Sequence, residues 1–503
     1  MHWGRHHRGS VELHRQQRGS RSHLKLTRLD SPELHMTHAG LAPTWLQVDH
    51  SPSAASLSNI APSDTRIHRL AGGLRTLGVR PGDLVSWQLP NSTEAALLLW
   101  ACWQLGATAV PLHHRASAQE VDVMLAAIPD AFSITASETQ HMIRTESALL
   151  EVVPPPYGIA LILHTSGSSG SPKAVIHTHD SLYFKAQSMA QVHALGAEDV
   201  VLMPAPMAHI SGILNGVTLV AAAGMRSVLM NRWDPERALA LIAAERVSFM
   251  VGPPTFFLSL LQTSGFTSEK VRSLRLISAG GTGVSPAFCE EISQRFSAVV
   301  KRSYGSTEAP TVTTSWAGDP SECMHATDGR ATPGTQLRLS ETGELQLRGD
   351  GLFAGYTDAT LTAQSITADD WFCTGDLAQI TDGWITVTGR TSSMIIRGGE
   401  NISPTQVESI LTAHPDVLQA VVVGLKDARL GQRVAAALTT RNGLPFGLED
   451  CHRWCAEQGL SRFKWPEVIH RVETIPLLGS GKADLVAVRE LLEQSSGASS
   501  QTS

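Results

Sequence analysis

Apolar spacing alternates between two periods along the first half of the chain. The stretch "IHRLAGGLRTLG" (67–78) has the three-to-four spacing of an amphipathic helix, and "DLVSWQL" (83–89) reads as a strand. "STEAALLLWACWQLG" (92–106) predicts a helix with Ser92 as N-cap and Glu94 in its first turn, and "TAVPL" (108–112) a strand. Polar "TASETQHMIRTES" and the prolines at 154–156 read as a loop entering the strand "GIALILHT". The alternation resumes through "VVLMPAP", "RSVLM", "VSFMVG" and "LRLISAGG". Strands alternating with helices predict layered α/β structure with a largely parallel sheet. After Gly334 the period shortens to two: "QLRLSETGELQLRG" and "DLAQITDGWITVTGR" read as antiparallel hairpins. From 391 onward "SMIIRG", "SPTQVESILTAH", "AVVVGL" and a closing helix after Asp484 outline a smaller α+β domain.

Composition narrows the class. The chain has 503 residues, 42% hydrophobic and 17% charged, as in a globular protein. A net charge of −6 does not point to a global polyanion-binding surface, so nucleic acid is not an expected partner. The longest apolar run, 95–112, contains Gln104 and Gly106 and ends near proline; it predicts a buried helix turning into a strand, with no transmembrane segment. Six scattered cysteines suit a reducing, cytoplasmic setting. Cys451 and Cys455 lie one helical turn apart, but no second ligand pair stands nearby, so buried packing is the expectation. Residues 1–40, rich in arginine and histidine, read as a disordered basic leader or a start codon assigned too far upstream, and 493–503 as a disordered tail.

One segment carries unusual chemistry. "HTSGSSGSPK" (164–173) packs five hydroxyl residues and two glycines ahead of a lysine. Glycines let backbone N–H groups approach oxygens, hydroxyls donate further bonds, and the lysine adds charge, so the loop has the parts of a phosphate cradle. It is not the common nucleotide-triphosphatase loop, because Pro172 rather than glycine precedes Lys173 and Ala174 follows it. A flexible linker is disfavoured by the β-patterned runs on both sides.

With its flanks, "LHTSGSSGSPKAVIHTH" resembles the signature loop of the adenylate-forming superfamily, which includes acyl-CoA synthetases, carrier-loading adenylation domains and luciferases. Further motifs follow in order: "PAPMAHISG" (204–212), "SAGG" (278–281), "YGSTEAP" (304–310), "GELQLRGDGLFAGY" (343–356), "WFCTGD" (371–376), "GRTSSMIIRGGENISPTQVE" (389–408) and "PLLGSGKADL" (476–485). Upstream "LGVRPGDLVSWQLPNS" also matches, so the resemblance spans roughly 42–492. It implies a large N-terminal AMP-binding domain (41–390) of layered α/β subdomains plus a β-rich subdomain, followed by a small mobile α+β C-terminal domain (391–492).

The resemblance also implies a two-step reaction, with roles for individual residues. A carboxylate attacks the α-phosphate of ATP, and a thiol then attacks the acyl-adenylate. Thr165, Ser166, Gly167, Ser168, Gly170 and Lys173 would wrap the outer phosphates. Tyr304 would stack on adenine beside Gly280 and Gly281, Thr307 would bond the α-phosphate, and Glu308 would hold Mg²⁺. Asp376 would accept the ribose hydroxyls with help from Arg390. Lys482 would bridge the attacking carboxylate and the α-phosphate. A domain swing about Ser392 would then bring Gly398 and Gly399 to line the coenzyme A tunnel.

Departures from the family pattern are Ser392 and Ser393 at the hinge, Gln406, Leu485 and Ala174. They leave the catalytic set intact and put the rate of the swing in question. His209, Ile210 and Gly212 would line the acid pocket, with His209 as a gate or wall. Absence of an aspartate there disfavours an α-amino acid, and apolar Met207, Ile210, Leu214 and Val217 favour a fatty, alicyclic or aromatic acid unless they are only helix core. Free coenzyme A is the expected acceptor, and a discrete carrier protein loaded in trans the alternative. A catalytically impaired nucleotide-binding homologue is a second alternative, and a homodimer is left open.

Overall fold

The apolar run at 95–112 forms the helix Thr93–Leu105 and the strand Thr108–Pro111 in a computed structural model of the chain. The helix is apolar around most of its circumference and is buried to match: Leu97, Leu98 and Leu99 are fully enclosed, while Glu94, Trp100 and Gln104 are half-buried. Ser92 caps it by accepting from the Ala95 N–H at 3.2 Å, as the pattern predicts, and left-handed Gly106 ends it. The structure describes residues 12–18, 21–27, 46–49, 57–60, 64–145, 158–165, 172–427, 429–477 and 483–499. Of the leader it describes the paired strands Glu12–Arg18 and Arg21–Thr27. The chain divides into one unit of Met1–Trp233, Thr307–Pro310 and Asp350–Ile366, and a second unit comprising the remainder.

In the first unit one sheet has the order Gly355–Tyr356, Lys173–Thr178, Ile159–Thr165, Thr108–Pro111, Leu84–Trp87, Phe132–Ile134. The last four strands are parallel, as the alternating pattern predicts, while Ile159–Thr165 and Lys173–Thr178 form an antiparallel hairpin to which Gly355–Tyr356 adds. A second set pairs Val200–Met203, Arg226–Met230 and Leu46–Asp49 in parallel, with Leu57–Ile60 antiparallel beside them. One expectation is corrected: within the stretch read as a loop, Ala136–Arg144 is a helix. Thr135 and Glu138 form a reciprocal capping box at its start, and Met142 and Thr139 are its buried face, so a short helix is stabilised at its end rather than by a long apolar stripe.

In the second unit Phe249–Gly252, Leu276–Gly280 and Val299–Tyr304 are parallel neighbours. A meander follows, Thr335–Leu339, Glu344–Gly349, Phe372–Thr381 and Trp384–Arg390, matching the hairpins read from period two. The C-terminal part builds a sheet on the long hairpin Val417–Asp427/Gly431–Thr440. Helices Pro404–Thr412 and Leu448–Glu457 close over it, burying Cys451 and Cys455 among Val407, Leu411 and Val434. The closing helix runs Leu485–Ser499, further than the boundary expected at 492.

Lys185, in the helix His179–His193 of the first unit, is only 1% exposed, and desolvation pulls its ammonium down to about 7. The folded chain therefore binds fewer protons than the unfolded chain between about 7 and the ordinary lysine value, so the destabilisation is complete below about 7 and fades as pH rises. Lys185→Met is expected to raise the denaturation midpoint more at about pH 6 than at about pH 9. Equal gains at both pH values in chemical unfolding would contradict a charge-burial origin.

Candidate active site

The segment read as a phosphate loop is flanked by two antiparallel strands, Ile159–Thr165 and Lys173–Thr178. Thr165 and Lys173 are register partners at the ends of these two strands. Ser166, Gly167, Ser168 and Gly170 lie outside the described residues. The Lys173 ammonium sits 5.6 Å from the ring centroid of Tyr356, within cation–π range. Tyr356 occupies the short strand beside Lys173–Thr178, and its hydroxyl donates to Glu308 Oε1 at 2.8 Å. Burial and the neighbouring Glu308 carboxylate push the phenol far up, so it stays a donor. The backbone carbonyl of Glu308 accepts from the Phe353 N–H at 2.8 Å, and that of Thr307 accepts from His177 Nε2 at 2.7 Å. The first unit thus brings Lys173, Thr307 and Glu308 together around two residues with no role read from sequence, His177 and Tyr356. A period-two signal existed for His177, since 173, 175 and 177 share one face of their strand.

The predicted acid-pocket residues cluster in the same unit. Ile210–Ile213 is a short helix capped by His209, whose Nδ1 accepts from the Ser211 N–H at 3.1 Å; that nitrogen is thereby engaged as an acceptor. Ile210 and Gly212 are buried, and the helix widens at Leu214–Thr218 into a π turn. Leu214 and Val217 are enclosed as core. Buried Asn91 positions the approach to this helix. Its amide donates to the Ala205 and Met230 carbonyls, both at 2.9 Å, and its carbonyl accepts from the Met207 N–H at 2.8 Å. No local pattern marks Asn91, because all three partners are more than a hundred residues away.

The second unit assembles the residues assigned to the nucleoside. Gly280 and Ser303 are register partners on adjacent strands, and a Cβ at 280 would lie 2.4 Å from the Ser303 carbonyl oxygen, so only glycine fits beside Tyr304. Asp376 is 2% exposed. Its Oδ2 accepts from the Tyr304 hydroxyl at 2.5 Å, and its Oδ1 from Arg390 Nε at 2.6 Å. Burial and the Asp376 carboxylate hold the Tyr304 phenol well above its ordinary range, so it too remains protonated. A carboxylate has about four lone-pair sites, which leaves acceptor capacity on both oxygens for a vicinal diol.

Gly398 and Gly399 are the two central residues of the turn joining Ile395–Arg397 to Glu400–Ile402, with φ of 58° and 90°, which makes the GG pair a requirement of the hairpin. Ser392 falls in a single 3₁₀ turn, Thr391–Ser393, immediately after the strand Trp384–Arg390. Lys482 lies outside the described residues; Leu477 and Ala483, the nearest described residues on either side of it, form an antiparallel bridge.

The family model for AMP-binding enzymes matches residues 62–357, and that for the C-terminal domain of AMP-binding enzymes matches 406–482. The chain belongs to the AMP-binding enzyme family. It is 30% identical over 473 residues to the medium-chain fatty-acid–CoA ligase of Escherichia coli K12, covering 84% of this chain and 83% of that protein. It is 30% identical over 475 residues to a feruloyl-CoA synthase of an Amycolatopsis species, covering 88% and 95%. Among solved structures, o-succinylbenzoate CoA synthetase of Bacillus subtilis in complex with its acyl-adenylate intermediate matches with a TM-score of 0.76 at 26% identity, covering 90% of this chain and 95% of that one. The layered α/β architecture, β-rich region and small C-terminal domain are those of the superfamily.

The family's ATP and Mg²⁺ fit the groups present. Magnesium takes hard oxygen ligands, usually one or two carboxylates plus substrate phosphates. Glu308 offers one carboxylate, oriented by Tyr356, and among the described residues no cluster of three His, Cys, Asp or Glu side chains forms a cage of its own. Among the described residues, no helix is long and apolar enough to cross a membrane. Asp376→Asn keeps the shape but replaces one acceptor with a donor and removes the charge facing Arg390. Hydrogen bonds to charged groups contribute about 1.5–3 kcal/mol, so AMP affinity measured by calorimetry is expected to fall roughly tenfold to a hundredfold.

Proposed function

We propose that the chain activates a hydrophobic carboxylic acid with ATP and transfers the acyl group to coenzyme A. As a reaction class this is AMP-forming acid–CoA ligation. The observation that carries the nucleotide half is the buried Asp376 carboxylate, oriented by Tyr304 and Arg390 beside the glycine-lined strand end. In the first step a carboxylate oxygen of the acid bonds the α-phosphorus and the bond to the β-phosphate breaks, releasing pyrophosphate. Two anions must meet, so the site has to offset charge where it accumulates. Lys173 grips the outer phosphates, Thr307 bonds the α-phosphate, Glu308 holds the magnesium that neutralises the triphosphate, and Lys482 draws the carboxylate onto the α-phosphate. In the second step the thiol sulfur bonds the acyl carbon, the bond to AMP breaks, and the thiol proton passes to solvent.

The acid is assigned as fatty, alicyclic or aromatic. Apolar Met207 and Ile210 beside the short helix support this, as do relatives named for fatty, feruloyl and indoleacetic acids. Coenzyme A is favoured over a carrier protein because those same relatives are CoA ligases or synthases. A cytoplasmic setting is supported by six free thiols.

Pyrophosphate release against a panel of fatty, alicyclic and aromatic acids, with coenzyme A present and absent, tests the assignment. Release with one class of acid, and thioester only when coenzyme A is present, is expected; no release with any acid would leave the impaired-homologue reading standing. Lys482→Ala is expected to abolish pyrophosphate release while leaving thioester formation from a supplied acyl-adenylate nearly unchanged. Equal loss of both half-reactions would refute a lysine used in the first step alone.

A further inference from the structure

We propose that His177 is a positioning residue for adenylation: its Nε2–H fixes the Thr307 carbonyl and thereby sets where the Thr307 hydroxyl and the Glu308 carboxylate meet the triphosphate. His177 is fully enclosed in the strand Lys173–Thr178. Its Nε2 lies 2.7 Å from Thr307 O, and since a carbonyl only accepts, the ring proton is on Nε2. Burial holds the imidazole down at about 4, so the ring is neutral at physiological pH. Nδ1 is buried without a hydrogen-bond partner, a cost that an aliphatic residue of similar size in the same core position would avoid. The residue therefore needs a reason other than packing.

Its one bond supplies that reason. The Thr307–Glu308 pair is held at three atoms: Thr307 O by His177, Glu308 O by the Phe353 N–H, and Glu308 Oε1 by the Tyr356 hydroxyl. Two of these holds come from the segment 353–356, which is itself hydrogen-bonded to Lys173–Thr178 through Ala354 N to Ile176 O at 2.8 Å. His177 is the third hold and the only one of the three donated by the strand that leaves the phosphate loop. The strand starting at Lys173 and the motif carrying Thr307 thus share one rigid frame, with His177 as the direct link across 130 residues of sequence. Without it the Thr307 carbonyl, and with it the peptide plane leading into Glu308, can rotate. Displacements of about 1 Å at a reacting centre cost on the order of a hundredfold in rate.

This rests on the proposed roles of Thr307 and Glu308 at the phosphates, and the test separates the two ideas. His177→Leu removes the donor at similar volume, and His177→Gln can place an amide N–H near the Nε2 position. ATP affinity is measured by calorimetry with and without magnesium, together with pyrophosphate release, thioester formation from a supplied acyl-adenylate, and thermal unfolding. For His177→Leu, ATP affinity in the presence of magnesium is expected to fall about tenfold and kcat for pyrophosphate release about a hundredfold, with KM for the acid unchanged. Thioester formation from the supplied adenylate is expected to stay within about twofold, and His177→Gln to recover most of the loss.

Equal loss of both half-reactions with no recovery by glutamine would reduce His177 to a packing residue, and an unaltered His177→Leu would overturn its role outright. If the leucine variant fails to fold, glutamine is compared with asparagine, which is too short to reach; identical behaviour of the two overturns the proposal. A wild type that binds ATP but releases no pyrophosphate refutes the assigned reaction, while the binding arm still decides His177. A wild type that binds no ATP refutes both.

Discussion

The second unit depends on a buried carboxylate that cannot be left unpaired. Asp376 is nearly inaccessible, so its carboxylate needs hydrogen-bond partners, one of which, Arg390, reaches it from a side chain that is itself 59% exposed. Its oxygens are met by Tyr304 from the end of a parallel strand and by Arg390 from the neighbouring strand of the meander. The same arrangement that keeps the carboxylate tolerable in the folded chain leaves acceptor capacity on both oxygens, as the proposed diol contact requires. Its backbone is fixed as well, since the Asp376 N–H donates to Thr374 Oγ1 and the Gly375 N–H to Glu344 Oε1. The need to satisfy one charge therefore joins the parallel sheet to the meander and leaves a binding group at the junction.

The first unit meets a related constraint with hydrogen bonds rather than an ion pair. The strand Lys173–Thr178 is buried along its middle and carries a lysine at its half-buried start, which the proposed phosphate contact requires to stay in place. Pairing on both edges, to Ile159–Thr165 and to Gly355–Tyr356, supplies the stiffness. Ala174, where the family usually has glycine, fits because its methyl enters the cluster of Leu84, Val110 and Ile162. That departure is therefore a packing change at the back of the sheet.

What could be read in advance followed from range. The helix at Thr93–Leu105, its Ser92 cap and the period-two meander are local patterns, and they appear where the apolar spacing puts them. The helix Ala136–Arg144 was missed because its signal is a capping box in a polar segment, Thr135 with Glu138, rather than a stripe. Motif resemblance singles out Tyr304, Asp376, Glu308 and Lys173, and the structure pairs Tyr304 with Asp376 and links Glu308 to Lys173 through Tyr356. Asn91, His177 and Tyr356 were not assigned, because their roles consist of hydrogen bonds to chain more than forty residues away, and no window of sequence contains both ends.

The C-terminal part shows why the remaining departures are tolerable for a domain that the proposed reaction requires to turn. Gln406 accepts from Lys464 at 2.9 Å within that domain, and Ser393 reaches only its own turn, Arg390 O at 3.4 Å. Leu485 begins the closing helix on an exposed face after Asp484 has capped it. Gln406 and Leu485 do not touch the Asp376 cluster, and Ser393 meets it only at the backbone carbonyl of Arg390, not at the guanidinium that holds Asp376. Across to the helix Pro286–Phe296 runs a bidentate bond from Arg441 to Glu291, at 3.1 and 2.8 Å, between side chains that are 41% and 25% exposed. Partly solvated pairs of this kind contribute roughly 0–1 kcal/mol. Such a pair selects an orientation without locking it, and a swing that must be reversed at every turnover needs contacts weak enough to break.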